Sequence, residues 1–277
     1  MRTFLFVLCL SPFIVAEEPA RNWKNSTELA FLATGGNSET ATFGLKNHYT
    51  LTKGKGTFNF KLEGIRTSDT ETYRTAVGTA DDFSILETEE TNTKVERYTV
   101  DLKYDRKISD ALEWFVGTKW EKDAPKGIKS RLSFMAGLGN ILISRDDMEW
   151  KINYGLEYST REHYVEPEGF DSSFGSVAFS SVLMKKFGKN SKWDQNFDIT
   201  APFEDFEAYR VNFTNSLTSS LAGNFAMKLS LALMYEGTPA FSSVALFDTV
   251  GGNELGTVLY EKDNLDYSLT ASLVMNF

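Results

Sequence analysis

Cysteine and histidine are almost missing from this chain. Among 277 residues there are one cysteine, Cys9, and two histidines, His48 and His163. A disulfide framework needs paired cysteines and a Cys-based metal site needs several, so both are excluded. Positive charge is also in deficit: Lys and Arg number 29 against 38 Asp and Glu, a net charge of -9. That balance lacks the basic face that phosphate backbones require, so no nucleic-acid partner is expected. Mean hydropathy is -0.28. Past the N-terminus no segment offers the roughly 20 apolar residues a membrane-spanning helix needs. The sequence contains no Gly-x-Ser-x-Gly, His-Glu-x-x-His, P-loop or dinucleotide fingerprint. Neither histidine has a partner nearby in sequence for acid–base work or metal binding. The expectation is a protein that is not an enzyme and carries no cofactor.

What is abundant is aromatic residues: 14% of the chain, with 22 Phe, 11 Tyr and 5 Trp. The N-terminus is a separate matter. Residues 1–16 carry a basic Arg2, an apolar core over Phe4–Leu10, a Ser11-Pro12 break and a small residue at Ala16. This is the layout of a secretory signal peptide. Its removal would take Cys9 with it and leave an exported chain without any thiol.

From residue 23 onward apolar and polar residues alternate with a period of two, the mark of strands with two unlike faces. Leu265, Tyr267, Leu269, Ala271, Leu273, Met275 and Phe277 form one face of the last segment; Asp266, Ser268, Thr270 and Ser272 lie on the other. Twelve strands are read near 24–35, 38–52, 56–69, 93–107, 112–123, 128–143, 148–163, 172–187, 192–203, 207–221, 224–237 and 257–277. No linker or composition shift interrupts them, so residues 17–277 form a single β-barrel domain. Short turns such as 53–56, 145–147, 188–191 and 222–224 alternate with mostly longer connections, among them 70–92 and 238–256. Both long segments are read as loops. Segment 70–92 is strongly acidic, while Phe83, Ile85, Leu86, Phe241, Val244, Leu246 and Phe247 would let the two fold back into a barrel mouth. Divalent cations would be attracted to such acid, but a solvated acidic loop is the simpler reading.

Alternation alone does not separate a soluble sandwich from a membrane barrel. Strand length does: about ten tilted residues cross a bilayer, whereas strands of soluble proteins average about five or six. Aromatics gather at segment ends, as headgroup-level girdles require. Phe58, Trp114, Trp150 and Trp193 lie beside short turns, and Trp120 and Tyr235 lie at the opposite ends. The chain therefore reads as an all-β antiparallel transmembrane barrel of about twelve strands, with short periplasmic turns and longer outer loops. Its terminal strand, with Tyr267, Leu269, Leu273 and Phe277, has the form that outer-membrane insertion machinery reads. The bilayer and that machinery are the expected partners; oligomeric state is not readable. A soluble periplasmic β protein is the remaining class, distinguished by extraction without detergent.

Parity then assigns a charged lumen: Arg97, Asp101, Lys103 and Asp105 from one strand, Glu113, Lys119 and Glu121 from the next, then Lys151, Glu157 and Arg161, and finally Arg210, Lys228 and Glu236. Lys46, Lys61, Glu63, Asp194 and Asp198 share that parity. Two outcomes stand level. The charges line a water-filled, weakly selective channel for ions or small solutes, or they pair across the lumen and close it. The second would leave a structural or surface-interaction protein.

The stretch Thr34-Gly35-Gly36-Asn37-Ser38-Glu39-Thr40 resembles the salt-induced outer-membrane protein family, domain of unknown function 481. Tyr104-Asp105, Trp120-Glu121-Lys122-Asp123, Ala136-Gly137-Leu138-Gly139 and the terminal strand are similar to it in the same order. Segments 70–92 and 238–256 are longer than that family's hairpins. The resemblance implies a bacterial outer-membrane location and a link to salt or osmotic stress, but no activity.

Overall fold

In a computed structural model, residues 22–34, 38–78, 83–166, 171–248 and 253–277 are described. The leader expected over residues 1–16 and the turn at residues 35–37 lie outside them. The strands are β1 Trp23–Thr34, β2 Ser38–Lys53, β3 Gly56–Gly78, β4 Phe83–Lys107, β5 Leu112–Asp123, β6 Ile128–Arg145 and β7 Met148–His163. They continue with β8 Ser173–Phe187, β9 Ser191–Pro202, β10 Arg210–Ala222, β11 Phe225–Glu236, β12 Phe241–Phe247, β13 Glu254–Glu261 and β14 Leu265–Asn276. Twelve of them close an antiparallel barrel in the order β1-β14-β11-β10-β9-β8-β7-β6-β5-β4-β3-β2, and β12 and β13 pair in a separate hairpin.

The short turns sit where Gly and Asp permit them. Gly54 and Gly223 take φ of 59° and 54°, a left-handed conformation that glycine adopts without a side-chain clash, and each opens a two-residue hairpin. Asp146-Asp147 makes another, with the Lys185 ammonium 2.7 Å from the Asp147 carboxylate. The hydrogen bond from Lys185 holds that carboxyl below its ordinary range.

Two segments differ from the sequence reading. Residues 70–92 are mostly strand rather than loop: β3 and β4 pair from Gly56↔Arg106 to Gly78↔Phe83. Beyond Glu71 on β3 and Arg97 on β4 the neighbouring strands have ended, so the hairpin stands clear of the wall. Threonine explains it. A polar run has no hydrophobic alternation, yet β-branched Thr favours the extended chain, and the Thr70 and Thr91 hydroxyls bond across the pair at 2.8 Å. Likewise residues 238–256 contain β12 and the start of β13, and the barrel's last strand begins at Leu265, not near 257.

The barrel is inverted relative to a soluble core. Asp105, Glu113, Glu121, Asp123, Arg131 and Glu157 are buried, whereas Phe43, Phe134, Leu156, Leu217, Leu229 and Leu269 are exposed. A water-soluble fold buries the apolar set; an apolar outer belt around a polar interior is the surface a bilayer covers. Phe58, Trp114 and Trp150 lie on that outer face near the short turns, and Trp120 lies near the long connections. Their ring nitrogens are satisfied locally: Trp120 Nε1 donates to Ser130 Oγ at 3.1 Å and Trp150 Nε1 to Ser181 Oγ at 3.0 Å. Trp193 donates to Asn215. Tyr235 stacks on Tyr209 at 5.5 Å, at the long-connection end. On β14, Tyr267, Leu269 and Leu273 project outward and are exposed, and Phe277, just past its end, is exposed too.

Candidate functional site

The barrel interior brings together charges that are far apart in sequence. Glu121 on β5 meets Arg210 on β10, with β6, β7, β8 and β9 between them in the ring. Only a contact through the lumen joins such strands. Lys119 lies 3.0 Å from Glu121, and Glu236 lies 3.3 Å from Arg210 Nε. Lys126, in the 124–127 connection, extends the row to Glu236 at 3.5 Å. Burial holds the Lys126 ammonium below the ordinary lysine range, and the Glu236 carboxylate opposes that shift. Near the same end Arg97 Nε donates to Asp123 at 2.7 Å, and Arg131 bonds Glu157 at 3.0 Å. Arg161 and Arg131 both lie over the Phe174 ring, at 4.5 and 5.4 Å. These side chains border a mouth cavity of about 310 Å³ that Phe241 also lines.

A second cluster lies nearer the short turns. Asp105 on β4 accepts from Lys103 at 2.7 Å and from Lys151 on β7 at 2.8 Å, and Lys151 also meets Glu113. Two strands separate β4 from β7, so this cluster too fills interior space. The Lys103 ammonium sits 4.4 Å over the Phe115 ring. Glycines make the room. Gly137 and Gly155 face each other across β6 and β7. A Cβ on Gly137 would meet the Phe115 ring at 2.9 Å, and one on Gly139 would meet Glu113 and Lys151 at 3.0 Å. The Ala136-Gly137-Leu138-Gly139 run is thus the floor on which Phe115 and the Glu113–Lys151 pair rest.

The opposite wall differs. Lys228 on β11 bonds Glu28 on β1 at 2.6 Å, with β14 between them. Lys46 and Glu63 pair at 3.4 Å, and their side chains stay 44% and 48% exposed; Glu121 and Arg210 are 7% and 11% exposed. The lumen is therefore uneven. Ion pairs pack the side from β4 to β10, the Lys46–Glu63 pair on β2 and β3 is open to water, and the Glu28–Lys228 pair between them is more enclosed. Asp101 and Lys119, of the same parity, pair in register across β4 and β5.

Sequence parity did not single out Glu28, Asp123, Arg131, Phe115 or Phe174. The first three have the parity of charges that were read, so the alternation would have found them. Phe115 and Phe174 are apolar on a polar face; the facing glycines 137 and 155 were the signal for Phe115.

The family model described as protein of unknown function, DUF481, matches residues 27–250. No curated protein matches the chain. Among solved structures, the NanC porin is 10% identical at a TM-score of 0.47, over 91% of this chain and 98% of that one. An anion-selective porin from Comamonas acidovorans is 10% identical at 0.39, over 92% and 98%. The KdgM porin is 8% identical at 0.42, over 92% and 99%.

Proposed function

The chain belongs to the DUF481 family, and we propose that it is an outer-membrane protein passing ions and small solutes through a narrow, off-centre aqueous path. The observation that carries this reading is the half-exposed Lys46–Glu63 pair on the lumen face of β2 and β3, in contrast to lumen pairs such as Glu121–Arg210 that are buried. Water that reaches these groups provides a path for hydrated ions. In this reading the chain does no covalent chemistry, and residues 1–16 direct export and are cleaved. The salt-stress link implied by the family resemblance would act through this permeability. It is tested by comparing growth of a deletion strain at low and high salt.

Charges in the wet half should set ion preference. Replacing Glu63 by Lys reverses one charge beside the path. A unit charge at about 4 Å in water is worth about 1 kcal/mol, so the anion-to-cation permeability ratio should rise several-fold. Reversal potentials under a KCl gradient measure it. An unchanged ratio would remove this half of the lumen from the path.

The second reading is a closed lumen with a structural or surface-interaction role. The Glu121–Arg210 pair favours it, because it spans the interior. Under that reading the protein conducts nothing, and deleting the projecting β3–β4 hairpin alters surface interactions alone.

A further inference from the structure

The barrel wall has one short seam. Between β1 and β14 the ladder runs over four residues, Ser26–Leu29 against Leu273–Asn276. The next shortest, β9 with β10, runs over ten. Backbone bonds between Asn25 and Phe277, at 3.3 and 2.8 Å, close its lower end. Above Leu29 and Leu273 no pairing continues among the described residues, although both strands go on, to Thr34 and back to Leu265. In register, Phe31 would face Ala271 and Ala33 would face Leu269. The alternation of bonds puts the N–H and C=O groups of these four residues toward the gap. Hydrocarbon offers such groups no partner, so a membrane barrel with an open stretch has to fill it from the lumen or with a ligand.

The two flanks of the gap differ in chemistry. On the lumen side lie Glu28, bonded to Lys228, and its register neighbour Lys46, whose pair with Glu63 is reached by water. On the outer side Phe31, Tyr267 and Leu269 are 75%, 77% and 69% exposed. From Phe31 an apolar trough of about 620 Å³ runs along the outer face past Phe43, Leu45 and Tyr98. Its depth comes from Gly64, where a Cβ would meet the Tyr98 ring at 3.2 Å.

We propose that the upper β1–β14 seam is a lateral portal between lumen and bilayer for a single-chain amphiphile. Its polar head lies in the lumen beside Glu28 and Lys46, and its hydrocarbon tail lies in the Phe31–Tyr98 trough. The lumen charges there come as pairs of opposite sign, Glu28 with Lys228 and Lys46 with Glu63, so the head is zwitterionic or uncharged. The proposal rests on the aqueous-lumen reading, and its test separates the two.

The test uses the full mature chain in phosphatidylcholine nanodiscs, with lysophosphatidylcholine carrying a photoreactive group on its head as probe. Amide hydrogen exchange comes first. Phe31 and Ala271 should exchange far faster than the amides of the β10–β11 ladder. Equal protection would overturn the portal, whether the wall closes on itself or on a second copy of the chain. Illumination should then label the lumen-side peptides holding Glu28 and Lys46. An oxidised Phe31→Cys/Ala271→Cys pair, in a mature chain with no other cysteine, should cut that labelling at least fivefold, and reduction should restore it. Labelling that persists in the locked protein would mean entry through the mouth and would overturn the proposal. KCl conductance, measured on the same locked protein, should not change. Its absence in both forms would count against the channel reading alone.

Discussion

Replacing Arg210 by Ala should widen the pore and raise single-channel conductance severalfold. Arg210 is the group that reaches from β10 across the lumen to Glu121 on β5. Without it, Glu121 keeps Lys119 on its own strand, and Glu236 keeps Lys126, which reaches it from the β5–β6 connection, so each carboxylate retains a cation. The span from β10 to β5, however, is gone, and only the Lys126–Glu236 contact still reaches across at the mouth. Breaking a buried pair by removing one partner costs about 3–5 kcal/mol; the remaining partners and lumen water place this case at or below that range. The barrel should therefore still fold, at a lower denaturant midpoint. Glu121→Gln is the companion. It leaves Arg210 with Glu236 and should open the path less. The comparison also divides the two functional readings: steps that grow in the variant belong to an open pore, and steps that appear only in the variant belong to a plugged one.

Replacing Gly137 by Ala should cost the fold rather than the function. The added Cβ would fall on the backbone oxygen of Tyr154, within 2.8 Å of Gly155 Cα and 2.9 Å of the Phe115 ring. A side chain yields by rotating, but paired backbone does not. Overpacking of this kind costs about 1–3 kcal/mol and sometimes more. Here the strand pair β6–β7 has to separate, so the loss belongs at the upper end. The measurement is the fraction of protein running as the compact, unboiled band on a gel, which should fall steeply. Adding Phe115→Ala removes the ring contact and leaves the backbone one, so it should not rescue the band. Gly54→Asn is the control. Its φ of 59° is one Asn tolerates, and a Cβ there meets nothing within 4 Å.

These two sites also mark what a sequence can and cannot disclose. Alternation exposed the wall wherever one face is apolar. The segments at 225–236 and 265–276 carry apolar residues at every second place, and the structure has strands there. Where both faces are polar the signal vanishes, and residues 70–92 pass for a loop although threonine holds them in a hairpin. Residues 254–261 carry the β-forming run Thr257-Val258-Leu259-Tyr260, but they pair with β12 outside the barrel; such a run says that a strand exists, not which sheet it joins. The charged interior was legible for the same reason as the wall. Its connections were not, because Glu121 and Arg210 stand 89 residues apart and Glu28 and Lys228 stand 200 apart. Only the closure of the ring brings them together. The uneven exposure of the lumen charges, with Lys46 and Glu63 open and Glu121 and Arg210 enclosed, follows from that closure and has no local signature.

In the proposed function, water and ions cross this barrel beside β2 and β3. Single-channel recording of the purified mature chain in a planar bilayer tests it most directly, on protein shown to be folded by its heat-shifted gel band. Small, stable conductance steps of one reproducible size are expected. A fully folded barrel that gives no steps across a range of voltages and salt concentrations would contradict it.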